Sequence, residues 1–367
     1  MKIGNQLSEF FLDVFNFFKG RSILGVDIGT SSIKIAELTE AKGKLILNNY
    51  GILETKEYLN HPNKALQTSS LPIDEVATSK HLKILLNEIK PKSNLAIASI
   101  PAFASFSTVL DMPLMSEVEI GKAVMFQAPQ YIPLQPTEAL IDWIKVDEFN
   151  LSSNQKYLHI LVMGISKKLV EAYKKIFKDA GLRLIFLEFD GLALVRSLID
   201  KTDKDTLIVD IGAEETEIFI VKDGNLAYTG GTSYSGIHLT QTIARSLGIS
   251  SLRAESLKRK KGTADVNNDI ELAGLTLPFL DVIIQEVSHT ADVYKRRYGK
   301  IIERIMVVGG GANLIGISKY FAQQTGLLEA KPNVFRKVGY NLSLEPIVRN
   351  LNNELALAIG LAEKYFS

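Results

Sequence analysis

A chain of 367 residues with 46% apolar content has length for roughly two to four packed subdomains and is neither disordered nor fibrous. Its net charge of +1, with both signs mixed along the chain, gives no general attraction to nucleic acid. The lack of cysteine excludes disulfides, thiolate metal sites and a cysteine nucleophile, and His61, His81, His159, His238 and His289 show no metal-ligand spacing.

The chain opens with EFFLDVFNFF (9–18), where Phe10, Phe11, Val14, Phe15 and Phe18 form one apolar stripe on a helix. Asp13 and Asn16 interrupt it, and it falls far short of the roughly 18–20 apolar residues of a membrane span. Only Lys2 precedes it and no small-residue cleavage site follows, so a secretory signal is not expected. The stripe fits either a helix packed on protein or one lying at a membrane surface.

From Ser22 to Leu53 the pattern predicts a meander of strands, the last within GKLILNNYGI (43–52). Its first turn lies in GVDIGTSSIKIAEL (25–38): an aspartate ending a buried strand, then Ile-Gly. This is a tight turn whose backbone N–H groups can face an anion. Residues 76–90 have helical period, and LAIASIP (95–101) is a strand closed by Pro101. The next block, 101–154, reads as strand FASFSTVLDMP (103–113), helix SEVEIGKAVMFQAPQYI (116–132) and strand ALIDWIKVDEF (139–149). Ser116 and Glu119 form a capping box there, and Pro129 and Pro133 stop the helix. The block is a candidate small α/β insert.

After a polar loop at 150–156 come strand YLHILVMGIS (157–166), with His159 as a core residue, a helix over 167–182 ended by Gly181, strand LIFLEFD (184–190) and a helix in GLALVRSLID. IVDIGAEETEIFIV (208–221) then repeats the opening turn, and GNLAYTGG (224–231) completes a second meander. A charged helical stretch over 232–299 reads as an inserted lid. VVGGGANLIGI (307–317) is a strand, a triple-glycine turn and a helix start, where a base and ribose could lie against bare backbone. The repetition is an internal duplication, and its two Asp-Ile-Gly turns suggest facing halves that grip one phosphate chain.

On these residues the chain resembles the actin-like ATPase superfamily, and within it the type IV pilus assembly protein PilM family, relatives of the cell-division protein FtsA. The two Asp-Ile-Gly segments are similar to that superfamily's phosphate loops, VVGGGANLIGI to its adenosine motif and LALAIGLA (355–362) to its second connecting helix. SIPAFASFSTVLDMP (99–113), QAPQYIPLQPTEALIDW (127–143) and YTGGTSYSGIHLTQTIARSLGISSLRAESLK (228–258) resemble the PilM family in order and wording, YIPL and LTQTIA above all. The chain departs from FtsA in ending soon after Gly360, without that family's usual linker and amphipathic helix.

The resemblance implies an α/β, actin-like fold of duplicated ribonuclease-H-like core halves. The first half would be 22–100 with 155–203 and the second 204–231 with 300–367, with the insert at 101–154, the lid at 232–299 and an N-terminal amphipathic segment at 1–21. It also implies Mg-ATP in the cleft between the halves. Gly29, Thr30, Ser31 and Ser32 would donate to the phosphates from one side, and Gly212, Ala213 and Glu214 from the other. Lys34, seven residues after Asp27, would neutralise phosphate, and Asp27 and Asp210 would hold Mg2+. Gly230 and Gly231 would approach the nucleotide. Gly309, Gly310, Gly311 and Asn313 would take the adenosine, with Glu255 and Lys258 reaching ribose or base from the lid. Asp190 is the candidate for positioning an attacking water.

Plainer readings stand beside these: Lys34 as a solvated strand residue, the aspartates as turn caps, Lys258 to Lys261 as a solvated helix end, and Asp190 as an ordinary helix start. The function implied is a cytoplasmic ATP-binding scaffold of the type IV pilus assembly complex, peripheral to the inner membrane, with weak or no ATPase activity. It would hold the cytoplasmic tail of a PilN-like membrane protein in a groove between insert and first half, lined by Phe106, Val109 and Phe126. Other pilus proteins, a motor ATPase or further copies of the chain are additional possible partners. The alternative is an FtsA-like, filament-forming, membrane-associated cytoskeletal ATPase. A small-molecule kinase on the same core finds no motif for a second substrate.

Overall fold

The computed structural model describes residues 22–55, 74–101, 104–151, 155–262 and 270–367; the aromatic stripe at 9–18 and His61 lie outside them. Its first sheet grows from the opening meander. β1 (Ile23–Ile28) pairs antiparallel with β2 (Ser32–Ala41), which pairs antiparallel with β3 (Lys44–Glu54). On the other side of β1 lie β4 (Leu95–Ile100) and β8 (Arg183–Phe189), both parallel to it. Such parallel strands are covered on both faces, which is why β4 is buried at every position. Helix α1 (Glu75–Ile89) places Leu82 and Leu85 against Tyr173, Ile176 and Phe177 of α3 (Lys167–Asp179), and both pack on Leu24, Val26 and Ile35.

The second sheet has the same plan. β9 (Thr206–Ile211), β10 (Thr216–Lys222) and β11 (Asn225–Thr232) form the meander, and β12 (Arg304–Val308) and β13 (Leu328–Glu329) add in parallel beyond β9. Strand order in the two sheets therefore matches from the meander outward, the structural form of the sequence repeat. α4 (Asp190–Leu198) leads from the first sheet to the second. The lid is α5 (Gly236–Leu247), α6 (Ser251–Lys261) and α7 (Ile270–Tyr298).

Two boundaries differ from expectation. β7 (Gln155–Ser166), assigned from sequence to the first core half, is the central strand of the insert's own sheet, between β5 (Ser105–Pro113) and β6 (Ala139–Leu151). β6 and β7 pair as a hairpin starting at Leu151 opposite Gln155, so no domain edge separates them, and the long apolar run of β7 reflects burial on both faces of a central strand. α2 (Glu117–Gln127) covers this sheet, its Ile120 and Val124 packed on Leu110, Leu158 and Ile160. The Ser116–Glu119 capping box forms, and Pro129 sits in a single 3-10 turn after the helix.

The second correction concerns the C-terminus, assigned as a whole to the second half. α8 (Ile317–Thr325) stays with the second sheet, but β14 (Val338–Gly339) pairs with the free edge of β3 in the first. After α9 (Val348–Glu354), α10 (Ala356–Glu363) crosses to pack between β1 and α4. A Cβ on Gly25 would lie 1.9 Å from the Ala358 carbonyl oxygen, and one on Gly360 2.0 Å from that of Ala193. Backbone rests on backbone at both places, which only glycine permits. Among the described residues no helix is long and apolar enough to cross a membrane.

Candidate nucleotide-binding cleft

The two Asp-Ile-Gly turns are built alike. Gly29 N–H donates to the Ser32 carbonyl at 3.0 Å, and Gly212 N–H to the Glu215 carbonyl at 2.9 Å. Thr30 Oγ1 lies 3.5 Å from Glu214, so the turns face each other across the gap between the sheets. The halves differ in charge. Lys34 stands opposite Asp27 in the β1–β2 register, with Nζ 3.2 Å from Asp27 Oδ2, whereas Glu217 stands opposite Asp210.

Burial works against the Lys34 charge, but Asp27, Asp210 and more weakly Glu354 outweigh it and hold its pKa above the ordinary value. Burial pushes Asp210 up to about 7; Lys34 opposes the shift while Asp190 and Asp27 add to it. Asp190 is only 3% exposed, at the first position of α4, where Oδ1 accepts the Gly191 N–H at 2.8 Å. Burial, with Glu214 and Asp190 beside it, also pushes Glu215 up to about 7. One lysine thus serves several buried carboxylates, a donor set short of positive charge.

Beyond these turns opens a cavity of about 300 Å3. Its floor includes Ser31, Ser32, Lys34, Gly212 and Ala213; Gly29, Thr30, Asp27, Asp210 and Glu214 lie in or beside the turns and outside the cavity lining. One wall is the glycine turn after β12. Gly309 has φ +83°, and a Cβ there would meet Asp210 Oδ1 at 2.1 Å; one on Gly311 would meet the Ile211 side chain at 2.3 Å. A Cβ on Gly310 would meet nothing, so this residue faces open space with bare backbone. The turn continues as a 3-10 segment, Gly310–Asn313, and α8 starts at Ile317, the last residue of the segment read as strand, turn and helix start.

Lid residues close the opposite wall. Glu255 and Lys258 line the cavity but are paired within the lid. Lys258 Nζ donates to the Gly236 carbonyl and Thr240 Oγ1, both at 2.9 Å, and contacts Glu255 at 2.7 Å. Burial opposes the Glu255 charge, yet Lys258, Thr240 and Arg259 hold its pKa low; burial lowers that of Lys258. In the sequence Arg259 reads only as part of a solvated basic run. It bonds Glu255 through Nε at 2.7 Å and reaches across to Glu54 at the end of β3 through Nη1 at 2.9 Å. No local signal marks that pairing, because its partners lie far apart in sequence.

Gly230 and Gly231 do not form the cavity wall. They lie in β11, tight against β10 and α7, where a Cβ on Gly231 would be 2.9 Å from the Thr216 carbonyl and one on Gly230 3.1 Å from Thr290 Oγ1. Phe106, Val109 and Phe126 do not share a face either. Phe106 packs on the insert core, Val109 is 8% exposed in the main core, and Phe126 is 79% exposed on α2. His159 is buried as expected, bonded to Asp147 and stacked on Phe149.

A family model described as type IV pilus assembly protein PilM matches residues 25–366. The chain is similar to the cell division protein FtsA of Streptococcus pneumoniae, 22% identical over 348 residues, 85% of this chain and 73% of that protein. It is similar also to FtsA of Enterococcus hirae, 24% identical over 93% of this chain and 84% of that one. Among solved structures, a PilM-PilN type IV pilus biogenesis complex superposes with a TM-score of 0.79 at 22% identity, covering 94% of this chain and 98% of that one. MreB5 of Spiroplasma citri bound to ADP gives 0.54 at 14% identity, over 95% and 100%. The fold is actin-like.

Proposed function

The chain belongs to the type IV pilus assembly protein PilM family, and on that premise we propose that it is an ATP-binding scaffold of the pilus assembly complex, holding the tail of a PilN-like membrane protein. The observation that carries the nucleotide reading is the pair of facing Asp-Ile-Gly turns, with Lys34 between their aspartates, beneath a glycine wall that encloses about 300 Å3. Phosphates would lie on the other N–H groups of the two turns, those of Gly29 and Gly212 being used to close the turns themselves; Lys34 would neutralise them, and the base would lie against Gly310.

The donor set fits magnesium. Asp27 and Asp210 supply carboxylates near the phosphate position, and among the described residues no three acidic or histidine side chains converge to enclose an ion. Magnesium suits such a site because it keeps much of its water and completes its shell with phosphate oxygens. Bound there, it would offset the excess of carboxylate. Asp190, buried beside Asp210, is the candidate for orienting an attacking water, and its tie to its own helix start favours slow turnover.

The partner reading is supported by the likeness to a PilM solved with PilN. The tail would lie between the insert and the first half, with the protein cytoplasmic and peripheral to the inner membrane. Phe106 and Phe126 are its candidate contacts, while Val109 is enclosed by the core. Calorimetric titration with a synthetic PilN-like tail, with and without Mg-ATP, tests this. One-to-one binding weakened by Phe106→Ala is the expected result; no binding in either state would refute it.

A further inference from the structure

The insert meets the second half through a cluster of charges. Asp111 of β5, Asp147 of β6 and His159 of β7 stand together on the insert, with His159 Nδ1 2.5 Å from Asp147 Oδ1 and Nε2 3.7 Å from Asp111 Oδ1. Each aspartate meets a cation of the second half. Lys222 Nζ, at the end of β10, lies 2.7 Å from Asp147 Oδ2. Arg297 of α7 donates to Asp111 Oδ1 at 2.7 Å and to the Val109 carbonyl at 2.8 Å. The Tyr298 ring stands edge-on to His159, with ring centres 4.5 Å apart. Asp147 and Lys222 are buried, their side chains 16% and 8% exposed, and the Asp111–Arg297 pair forms a wetter rim.

Both sides of this cluster are anchored to their own half. Ile165 of the insert packs with Ile100 and Val170 of the first half. On the other side α7 lies on the second sheet through the buried Ile283, Val287 and Tyr294; Tyr294 Oη donates to Asp205 at 2.8 Å and Tyr298 Oη to the Ala227 carbonyl at 3.0 Å. After Pro278, α7 runs to Tyr298 without a further proline or glycine. Its Phe279, Leu280 and Ile283 line the nucleotide cavity, and Arg297 lies about 21 Å farther along the helix axis. One stiff helix therefore joins the cavity wall to the charge cluster.

The same conformation holds the contacts across the cleft, Thr30 to Glu214 and Arg259 to Glu54, so the cluster and the closed cleft coexist. We propose that Asp111, Asp147 and His159 with Lys222 and Arg297 form a latch between insert and second half that favours the closed cleft, so that its loss weakens nucleotide binding at a distance. The two states are halves drawn together, with latch and cleft contacts made, and halves parted, with both sets of charges hydrated. Ion pairs suit such a joint because charges re-enter water when it opens, which an apolar joint resists. The latch presupposes the nucleotide reading above and goes beyond it, since none of its five residues lines the cavity.

The test is calorimetric titration of Mg-ATP into the full chain, with folding checked by circular dichroism. Lys222→Met strands the Asp147 carboxylate, which regains water as the insert moves off the second half. Its affinity is expected to be about tenfold weaker than wild type, within the range of coupling between separate sites. The double variant Asp147→Asn/Lys222→Met strands no charge, and the asparagine still accepts from His159. It is expected to bind within about threefold of wild type, and since it lacks the same lysine, that recovery separates the ion pair from the packing of the lysine stem. Asp111→Asn, at the wetter rim, should weaken binding in the same direction by about threefold, and it carries the test if Lys222→Met does not fold. Undiminished affinity in folded Lys222→Met, or in Asp111→Asn where it stands in, overturns the latch while leaving nucleotide binding intact. A loss in Lys222→Met that the double variant retains in full does the same. A wild type that binds no Mg-ATP overturns the nucleotide reading as well.

Discussion

Lys34 Nζ sits 3.2 Å from Asp27 Oδ2, directly across the β1–β2 pair, and the matching place opposite Asp210 in the second meander holds Glu217. The duplication thus preserves the turn and breaks the charge, leaving one ammonium to offset carboxylates from both halves. Removing it should strand them. Lys34→Met is expected to abolish ATP binding and to cost about 3 kcal/mol of stability at pH 8, as for a buried pair that loses one partner. Asp210, already pushed up to about 7, moves higher without the lysine. Its protonation then contributes stability below that pKa which is lost as pH rises through it, so the melting temperature of the variant should recover between pH 8 and pH 6.

Glu363 gives a second dependence on pH, away from the cleft. It is buried in α10 with Oε1 unpartnered, and burial pushes it up to about 7, against the pull of Lys337, Arg196 and Arg336. A carboxyl whose folded pKa exceeds its unfolded value of 4.5 contributes stability fully below that value and loses it as pH rises through about 7. Glu363→Gln should therefore flatten the stability profile between these limits and raise stability at pH 8 by up to about 3 kcal/mol, measured by urea unfolding. An unchanged slope would contradict the assignment.

Gly25→Ala and Gly360→Ala each force a Cβ to about 2 Å from a backbone carbonyl of the facing element, where no side chain can yield. Each is expected to cost more than about 3 kcal/mol or to prevent α10 from docking. Gly310→Ala meets open space and should leave the melting temperature nearly unchanged while weakening nucleotide binding.

The Arg259–Glu54 pair spans lid and first half above the cavity. Both side chains are about half exposed, so the pair contributes at most about 1 kcal/mol to folding. Its expected effect is kinetic: Arg259→Ala should speed release of a fluorescent ATP analogue several-fold with little change in melting temperature. Glu54→Ala should not add to it, and fully additive rates would separate the two residues.

Much of this architecture is legible in the sequence because it is local. An Asp-Ile-Gly after an apolar strand, a capping box at Ser116 and a glycine run after a strand each carry their own short-range physics. What escaped is non-local. β7 looks like any buried strand, and only its pairing shows that it belongs to the insert. The return of α10 to the first sheet is encoded in Gly25 and Gly360, whose reason for being glycine is a neighbour far along the chain. Arg259 shows the same: in a basic run at a helix end it reads as solvated until its partner Glu54 is seen beside it.

The most direct test is calorimetric titration of Mg-ATP into the wild-type chain and into the Asp27→Asn/Asp210→Asn double variant, with folding checked by circular dichroism. One-to-one binding in wild type that disappears in a folded double variant is the expected result. Undiminished binding by the double variant, or none by wild type, would contradict the claim that the two turns form one nucleotide site.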